Sequence, residues 1–398
     1  MIPMQLSFKD LQYVIGSPEV VEAMPRVRDL RPFDEDVLSF LNDLSAMLRK
    51  NREYPDVATF GFWCRKAALL QEKAKYDDVN ARFGKGIVFH STPSNVAVNF
   101  AFSFASGLLA GNANIVRLPG KPFEQVTIIS NAVRELLETK HQNMAPYVVF
   151  VKFPPVKEIT DAFSALCNVR VIWGGDMTVA ELRQSKIQAR TTEITFADRH
   201  SIAVIDADAY LAAERKDTIV QNFYNDTYYT DQNACTSPRI IFWQGEKKAE
   251  AKEDFWKRVH ELVAGKYSLA AVQAVGKLNA LYSVASQKAV KLQESEDMFI
   301  TRLDVDQIDK DLMNYKYNSG FYFEKDIDNL KEIVNVCDIR CQTVTYFGVK
   351  EEDFREFLEA ARPIGIDRIV PMGKSMDFAL IWDGYDLIRQ MSRRVTII

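Results

Sequence analysis

One cysteine of the chain lies in a sequence context that favours nucleophilic chemistry. Cys235 is part of the segment YNDTYYTDQNACTSPRIIFW, where polar residues surround it and an apolar strand pattern follows. A thiol at such a loop-to-strand junction is accessible to a substrate, and a thiolate attacks carbonyl and thioester carbons. A lone cysteine is more often an inert buried residue, and that interpretation suits the other four, at positions 64, 167, 337 and 341. The sequence therefore singles out Cys235 as the candidate nucleophile.

A second candidate is a side-chain amide at a strand-to-helix turn. Asn95 follows Pro93 in the segment HSTPSNVAV, after a strand pattern and before a helix pattern. Its amide can donate a hydrogen bond towards the helix start, where free backbone N–H groups gather. The alternative role is a simple helix N-cap, which is common for asparagine. Asn95 and Cys235 are far apart in sequence, so only the fold can bring them together.

Two glycine-containing turns could approach a phosphate. The segment LPGKPFEQ (118–125) follows the strand pattern NIVRL, and GGDMT (174–178) follows VRVIW. Glycine permits close approach of the backbone, and a helix start favours negative charge. Arg117 and Lys121 add cations near the first turn. Neither turn matches GxGxxG or GxxxxGK, and glycine turns are normal in any α/β protein, so each is a weak signal alone.

The elements that position these residues alternate along the first half of the chain. Short apolar runs predict strands, and the intervening periodic segments predict helices. Such alternation predicts an α/β fold with a mostly parallel sheet covered on both faces. Two helices should precede it, one over 34–51 and one beginning at Asp56. The predicted strands are 86–90, 114–118, 147–151, 169–173 and 201–205, and the predicted helices are 96–110, 122–140 and 177–190.

The second half predicts another α/β unit and a terminal strand. We expect helices over 209–224, 250–264 and 268–293 and strands at RIIFW (239–243), FYFEK, TVTYFGV and DRIVPMG. The C-terminal residues end in VTII, which could pair with the sheet edge of another subunit.

Composition limits the classes of protein to consider. The 398 residues, 47% of them hydrophobic and 26% charged, suit a soluble protein of two or more packed units. A net charge of −4 argues against a nucleic-acid binder. Five cysteines without a disulfide pattern favour a reducing compartment, the cytoplasm by default, and four scattered histidines argue against a metal site. The start has no signal-peptide pattern, and the uncharged stretch 86–116 is too rich in polar residues and turns for a membrane span.

Taken together, these segments resemble the aldehyde dehydrogenase superfamily. The order is strand–TPSN–helix, GNANIVRLPGKPFEQ, WGGD, SIAVIDAD and DQNACTSPR. Within that superfamily the chain is similar to the acyl-CoA reductase family of bacterial luminescence, its fatty acid reductase component. The segments FWCRKAALLQ, GNANIVRLP, DQNACTSPRIIF and DRIVPMGKSMDFALIWDGYDL carry the likeness, which runs from about residue 56 to the C-terminus.

The resemblance implies N-terminal helices with a variant Rossmann lobe for a nicotinamide cofactor over 1–205, and a second α/β lobe, the catalytic lobe with the cysteine loop, over 206–385. A small bridging or oligomerisation element is expected over 386–398. It assigns the nucleophile to Cys235 and the oxyanion-holding amide to Asn95. Gly174 and Gly175 match the turn that faces the cofactor pyrophosphate. The cofactor-binding strand end is assigned to Arg117, Pro119, Lys121 and Glu124, where two registers, one on Arg117 and one on Lys121 with Glu124, stay open.

One departure from the superfamily bears on the reaction. Ordinary aldehyde dehydrogenases carry a water-activating glutamate in an ELGGK-like segment, whereas this chain reads TEITFADRHSIAVIDAD, with Glu193 slightly out of register. An enzyme that retains its acyl group against hydrolysis has reason to lack that base. The resemblance therefore implies reduction of an acyl-CoA, with a long fatty chain as one option, to an aldehyde, with coenzyme A as leaving group. Arg117 and Lys121 could meet a 2′-phosphate, which favours NADPH as the cofactor, whereas Glu124 favours NADH.

Two other functions remain open on the sequence. An NAD-dependent aldehyde or semialdehyde dehydrogenase would need the hydrolytic base that the segment lacks. A non-catalytic member of the fold would bind a nucleotide or a partner protein, although Cys235 and Asn95 are both retained. The family also implies an acyl-activating synthetase as a partner, and a homo-oligomer.

Overall fold

The computed structural model describes Phe8, residues 11–93 and residues 96–398. Within it the chain divides into two units, the first made of Met1–Ala197 and Phe378–Ile398 and the second of Asp198–Asp377. The units change at Ala197 and at Asp377, whereas the sequence divided the chain after residues 205 and 385. The division into cofactor lobe, catalytic lobe and oligomerisation element stays a prediction about the roles of these parts.

The first unit alternates strands and helices as the apolar runs predict. Its elements before the second unit are β1 (Gln12–Ile15), α1 (Pro18–Ala23), α2 (Glu35–Leu48), α3 (Pro55–Trp63), α4 (Lys66–Lys73), β2 (Arg82–Gly84), β3 (Ile87–Ser91), α5 (Asn99–Leu109), β4 (Ala113–Arg117), α6 (Glu124–Glu138), β5 (Val148–Lys152), α7 (Lys157–Leu166), β6 (Val169–Trp173), α8 (Asp176–Leu182) and β7 (Thr192–Phe196).

The sheet of this unit has the order β1-β5-β4-β3-β6-β7. All neighbours are parallel except β1, which pairs antiparallel with β5 at one edge. From β3 the chain moves outward to β4 and β5 and then returns to β6 on the other side. The order therefore reverses between β3 and β6, and crevices at the carboxyl ends of strands at such a point bind ligands in doubly wound folds.

Helices cover both faces of this sheet. Helices α2, α5 and α6 contribute to one apolar core, and α7 contributes to a smaller core on the other face. Helix α5 is buried along almost its whole length, which accounts for the uncharged sequence around it. The stretch 86–116 is thus strand, helix and strand. Among the described residues no helix combines the length and hydrophobicity needed to cross a membrane.

A chain of hydrogen bonds ties the centre of this sheet to α5. Trp173 Nε1 donates to Ser103 Oγ at 2.9 Å, and Ser103 Oγ lies 2.7 Å from His90 Nδ1. His90 Nε2 lies 2.9 Å from Asn114 Oδ1, which can only accept, so Nε2 carries the proton. His90 is therefore a neutral imidazole that accepts from Ser103. Burial lowers its pKa to about 4, against the opposing effect of the hydrogen bond to Asn114.

The second unit also has a largely parallel sheet covered by helices on both faces. Its elements are β8 (His200–Asp206), α9 (Ala207–Ala212), α10 (Lys216–Asp226), β9 (Pro238–Gln244), α11 (Lys248–Lys266), α12 (Ala271–Ala285), β10 (Val290–Leu292), β11 (Thr301–Val305), β12 (Phe321–Asp326), β13 (Cys341–Phe347), α13 (Glu351–Ala361) and β14 (Arg368–Pro371). The strand order is β10-β11-β12-β9-β8-β13-β14. Strand β9, which directly follows the cysteine segment, is thus the central strand.

The C-terminal segment returns to the first unit. Its elements are β15 (Ile381–Trp382), β16 (Tyr385–Asp386), α14 (Leu387–Met391) and β17 (Ser392–Arg394). Phe378 stacks on Phe102 of α5 with ring centroids 5.1 Å apart, and β17 pairs antiparallel with β2 of the same chain. The last two residues, Ile397 and Ile398, are exposed. Pairing of this tail with another subunit stays a prediction.

Three local differences from the sequence-based elements have physical causes. The predicted helix at Asp56 begins with Pro55, which suits a first helical position. It is interrupted at Arg65, whose backbone is extended, and the Asn42 side chain of α2 then accepts from Lys66 N at 3.1 Å. Strand β7 was not predicted, because TEITF is half polar and half buried. The predicted strand 201–205 belongs to the second sheet and not to the first.

The buried imidazole of His90 predicts a pH dependence of stability. An unfolded histidine titrates near 6.5, whereas His90 in the fold titrates at about 4, so its contribution is complete above pH 6.5 and is lost as the pH falls towards 4. Between pH 7.5 and pH 5 this loss is about 2 kcal/mol of unfolding free energy. We expect His90→Gln, measured by urea unfolding, to lose about 2 kcal/mol less than the wild type over that interval. An equal pH dependence in both proteins would show that His90 is not held neutral.

Candidate functional site

The cysteine segment is a short loop with unusual backbone geometry. It runs from the 3-10 helix Tyr228–Thr230 to the start of β9. Asp231 and Gln232 both have positive φ, 53° and 57°, a conformation that costs roughly 1–2 kcal/mol for a residue with a side chain. Such a conformation persists only where surrounding contacts determine it. The side chains of these two residues supply those contacts.

The Gln232 amide joins the starts of two neighbouring strands. Its Nε2 donates to Pro238 O at 3.0 Å and to Phe321 O at 3.3 Å, and its Oε1 accepts from Gly320 N at 2.9 Å and Phe321 N at 3.2 Å. The residue is 1% exposed. Since an unpaired buried polar group costs about 1–3 kcal/mol, one amide here satisfies several backbone groups at once. It fixes the loop to the sheet just before Cys235.

Asp231 and Asn233 fix the outer side of the loop. The Asp231 carboxylate accepts hydrogen bonds from Tyr267, from Ser319 Oγ at 2.8 Å and from Gln273 Nε2 at 2.8 Å. The Asn233 amide accepts from Asn318. The loop is therefore bound to residues 317–321, which lead into β12, as well as to the segment that begins α12.

Arg239 follows the loop as the second residue of β9. Its guanidinium donates to the carbonyl oxygen of Gln232, to Tyr317 O at 2.6 Å and to Asn318 Oδ1 at 2.7 Å. Burial lowers its pKa to about 10, and the negative charges that Tyr322, Cys235 and Asp231 can carry oppose that effect. Arg239 is thus a buried cation close enough to Cys235 for their charges to interact.

Cys235 differs from every other cysteine in burial. All five cysteines lie among the described residues and none is in a disulfide bond; Cys235 is half-buried whereas the other four are buried. Burial raises the pKa of Cys64 and, to about 12, that of Cys167. A buried thiol with a raised pKa is a poor nucleophile. The Cys235 backbone is anchored as well, because its carbonyl oxygen accepts from Ser201 Oγ of β8 at 2.7 Å.

A second turn of the same unit contacts the loop beside Cys235. Thr236 Oγ1 donates to Met376 Sδ at 3.2 Å. Asp226, at the end of α10, holds that turn by accepting from Gly373 N at 2.6 Å and from Ser375 N and Oγ at 3.1 and 2.8 Å. Burial raises the pKa of Asp226 to about 6, although these hydrogen bonds oppose the rise. The sequence analysis missed both Asp226 and Gln232, whose partners are distant in sequence.

The predicted cofactor residues lie together in the first unit. Arg117 ends β4, Pro119 and Lys121 follow it in the turn, and Glu124 is the first residue of α6. The Arg117 guanidinium lies 4.8 Å from the Phe153 ring centroid, and burial lowers its pKa while Glu181 opposes the effect. Pro119 is buried, whereas Lys121 and Glu124 are exposed. The open choice between Arg117 and Lys121 stays open.

Gly174 and Gly175 follow β6 at the same carboxyl edge of the sheet. A Cβ on Gly174 would lie 2.8 Å from the Thr178 side chain, so the turn packs tightly against the first turn of α8. Strands β3 and β6 flank the reversal of strand order. The half-buried cation of Arg117, the tight turn at Gly174 and the position at this reversal together suit a dinucleotide.

Two further expectations from the sequence concern Asn95 and Glu193. Asn95 lies outside the described residues, so its role stays a prediction. Glu193, the acid nearest to the absent hydrolytic base, lies on β7 and pairs with buried Arg170 and, at 2.7 Å, with Arg183. Burial opposes its ionisation, but the two arginines prevail and lower its pKa. Glu193 is thus an ion-paired carboxylate of the first sheet.

Comparisons with known proteins agree with this architecture. The model of the acyl-CoA reductase (LuxC) family matches residues 21–301. The long-chain acyl-protein thioester reductase of Vibrio harveyi is 21% identical over 337 residues, which are 79% of this chain. The match spans 64% of the length of that relative.

Solved structures of aldehyde dehydrogenases share the fold. Lactaldehyde dehydrogenase from Escherichia coli superposes with a TM-score of 0.65 at 12% identity, over 97% of this chain and 95% of that one. An NAD-dependent benzaldehyde dehydrogenase from Corynebacterium glutamicum gives 0.65 at 13% identity, over 94% and 88%. The two parallel-sheet units are therefore those of the aldehyde dehydrogenase fold, and the chain belongs to the acyl-CoA reductase (LuxC) family.

Proposed function

We propose that the chain is an NADPH-dependent acyl-CoA reductase that forms an aldehyde through an S-acyl intermediate on Cys235. The observation that carries the proposal is the environment of this cysteine. Of the five cysteines, all of which are described, it is the one that is not buried, and it lies on a loop held by Gln232, Asp231 and Arg239. Membership in the acyl-CoA reductase (LuxC) family supports the same reaction.

In the first step the Cys235 thiolate attacks the carbonyl carbon of the thioester. The bond from carbon to the coenzyme A sulfur breaks, coenzyme A leaves as its thiolate, and the acyl group stays on Cys235. The oxyanion of the tetrahedral intermediate needs donors, which we assign to the Cys235 backbone N–H and the Asn95 amide. Each such donor contributes about 3 kcal/mol to the transition state.

A nicotinamide dinucleotide, when bound, supplies the hydride that reduces the acyl carbon. We assign its binding to the carboxyl edge of the first sheet, through Arg117, Pro119, Lys121, Glu124 and the turn of Gly174 and Gly175. Cleavage of the bond between carbon and the Cys235 sulfur then releases the aldehyde and restores the thiolate. Overall, acyl-CoA, NADPH and a proton give aldehyde, coenzyme A and NADP⁺.

The fate of the acyl group distinguishes this reaction from aldehyde oxidation to a free acid. Hydrolysis needs a base that activates water. The acid nearest to that role in the sequence, Glu193, pairs with Arg170 and Arg183 and is therefore engaged elsewhere. This supports coenzyme A, and not water, as the acyl partner, and disfavours an NAD-dependent aldehyde dehydrogenase.

The relative from Vibrio harveyi is described as an acyl-protein thioester reductase, which adds a second form of acyl donor. We therefore extend the proposal to a protein-bound thioester delivered by an acyl-activating synthetase. We also propose a homo-oligomer, consistent with the exposed apolar end at Ile397 and Ile398. A cytoplasmic location is consistent with five described cysteines that form no disulfide bond.

Acyl transfer to Cys235 tests the proposal. On incubation with acyl-CoAs of different chain lengths and without a reductant, we expect intact-protein mass spectrometry to show one added acyl group. Cys235→Ala should show none, since the nucleophile is absent, and Cys337→Ala, which changes a buried thiol of the same unit, should behave like the wild type. If the wild type acquires no acyl group with any acyl-CoA, the proposed acyl-CoA reductase reaction through Cys235 is overturned, and a binding-only member of the fold is favoured.

Cofactor preference tests the assignment of the first unit. We expect higher turnover with NADPH than with NADH at equal concentration, because Arg117 or Lys121 offers a cation to the 2′-phosphate. Replacement of the contacting residue in Arg117→Ala or Lys121→Ala should raise the KM for NADPH about tenfold, the effect of losing about 1.4 kcal/mol, and should leave the KM for NADH unchanged. Lys140→Ala, which changes a lysine just past the opposite end of α6 that pairs with Asp43, is the matched control. A clear preference of the wild type for NADH would reject the choice of NADPH.

A further inference from the structure

Among the residues that the structure describes, the buried guanidinium of Arg239 donates hydrogen bonds only to neutral oxygens. Arg239 is 6% exposed, and its guanidinium donates to the carbonyl oxygens of Gln232 and Tyr317 and to Asn318 Oδ1. A buried charge is costly unless it is compensated. The other buried arginine among the described residues, Arg170, has that compensation, since it pairs with the carboxylate of Glu193. Arg239 therefore needs its counter-charge from a group that is not a hydrogen-bonded acid.

Among the described residues, the negative charges that three groups can carry oppose the effect of burial on the pKa of Arg239. These groups are Tyr322, Cys235 and Asp231. Tyr322 stays neutral, because complete burial raises its pKa. The Asp231 carboxylate accepts from Tyr267, Ser319 and Gln273, which are neutral donors. Asp231 also lies near Lys277, whose pKa is lowered to about 7 by burial and for which Asp297 is the larger opposing charge. Lys277 donates to the backbone carbonyls of Met298, Phe299 and Ser319. The negative charge of Asp231 therefore does not act on Arg239 alone.

We propose that Arg239 is a positioning residue for Cys235 that closes the cysteine loop with its hydrogen bonds and supplies the counter-charge of the Cys235 thiolate. The hydrogen bond from the guanidinium to the Gln232 carbonyl joins the first part of the loop to the strand that follows it. The other two hydrogen bonds tie the same group to residues 317 and 318. The cysteine loop is therefore hydrogen-bonded to a buried cation on the strand that follows it.

The chemical consequence is a larger fraction of thiolate at neutral pH. An ordinary cysteine, with a pKa near 8.5, is ionised to only a few per cent at pH 7. Ionisation of Cys235 releases one proton to solvent and leaves a negative sulfur beside a cation that lacks an ion pair. Each unit by which the thiol pKa falls raises the thiolate fraction at pH 7 up to tenfold. The inference rests on the proposed role of Cys235 as nucleophile, but the ionisation of its thiol is measurable without turnover.

The test is the pH dependence of Cys235 alkylation by iodoacetamide, followed by peptide mass spectrometry. The wild type should show an apparent thiol pKa below 8.5, and a value at or above 8.5 overturns the proposal without any variant. Arg239→Gln keeps a donor but removes the charge, and should lower the alkylation rate at pH 7 about tenfold. Arg239→Lys keeps the charge, and should stay within about threefold of the wild type. Far-ultraviolet circular dichroism establishes that the variants are folded.

The variants separate charge from geometry. If Arg239→Lys and Arg239→Gln slow alkylation equally, or if neither does, Arg239 does not act as a counter-charge. Acyl labelling of the same proteins keeps the two proposals apart. A wild type that alkylates with a low pKa but never acquires an acyl group overturns the proposed function and leaves the role of Arg239 intact. A wild type that is acylated but shows an ordinary thiol pKa overturns only the role of Arg239.

Discussion

The structure around Cys235 depends on one constraint. A polar loop at the edge of a buried sheet must find hydrogen-bond partners for its backbone N–H and C=O groups within the protein. The Gln232 side chain does this by bonding to Pro238, Gly320 and Phe321. A side-chain amide therefore forms hydrogen bonds with the backbone groups at the starts of the neighbouring strands β9 and β12. The left-handed conformations of Asp231 and Gln232 follow from this arrangement, and they set the direction in which the chain reaches Cys235.

The same constraint explains why the site is assembled from segments distant in sequence. Gln232 bonds to a residue 89 positions away, and Asp226 bonds to Ser375 across 149 positions. Each contact forms at the edge of a parallel sheet, where loops from separate crossover units meet. Parallel strands thus place Ser201, the cysteine loop and the 317–321 segment side by side. A thiol presented in this way keeps partial exposure while its backbone is held on several sides.

The sequence predicted the elements with strong local signals and missed those that depend on tertiary contacts. Apolar runs such as VRVIW became β6 with the predicted bounds, because buried parallel strands read as continuous apolar segments. TEITF did not stand out, since only alternate residues of β7 are buried. The break between α3 and α4 depends on a cap from Asn42 on another helix, which no local pattern shows. The aldehyde dehydrogenase fold and the acyl-CoA reductase family are confirmed, on motifs that extend over most of the chain.

The residues of the candidate site also fall into those that the sequence identified and those that it missed. Cys235 was identifiable because polar residues surround it in sequence, and Arg117 and Gly174 because they end apolar strands. Gln232 and Asp226 carry no such signal, since a glutamine or an aspartate in a polar loop is ordinary until its partners are known. Their roles appear only once burial and hydrogen bonds are seen together.

The most direct test of this account is amide hydrogen exchange at Gly320 and Phe321, whose N–H groups donate to Gln232 Oε1. If the buried amide holds the cysteine loop, both amides should exchange only through opening of the whole second unit, as slowly as the central strand β9. Exchange of Gly320 and Phe321 at rates close to those of an unprotected loop, with β9 still protected, would contradict it.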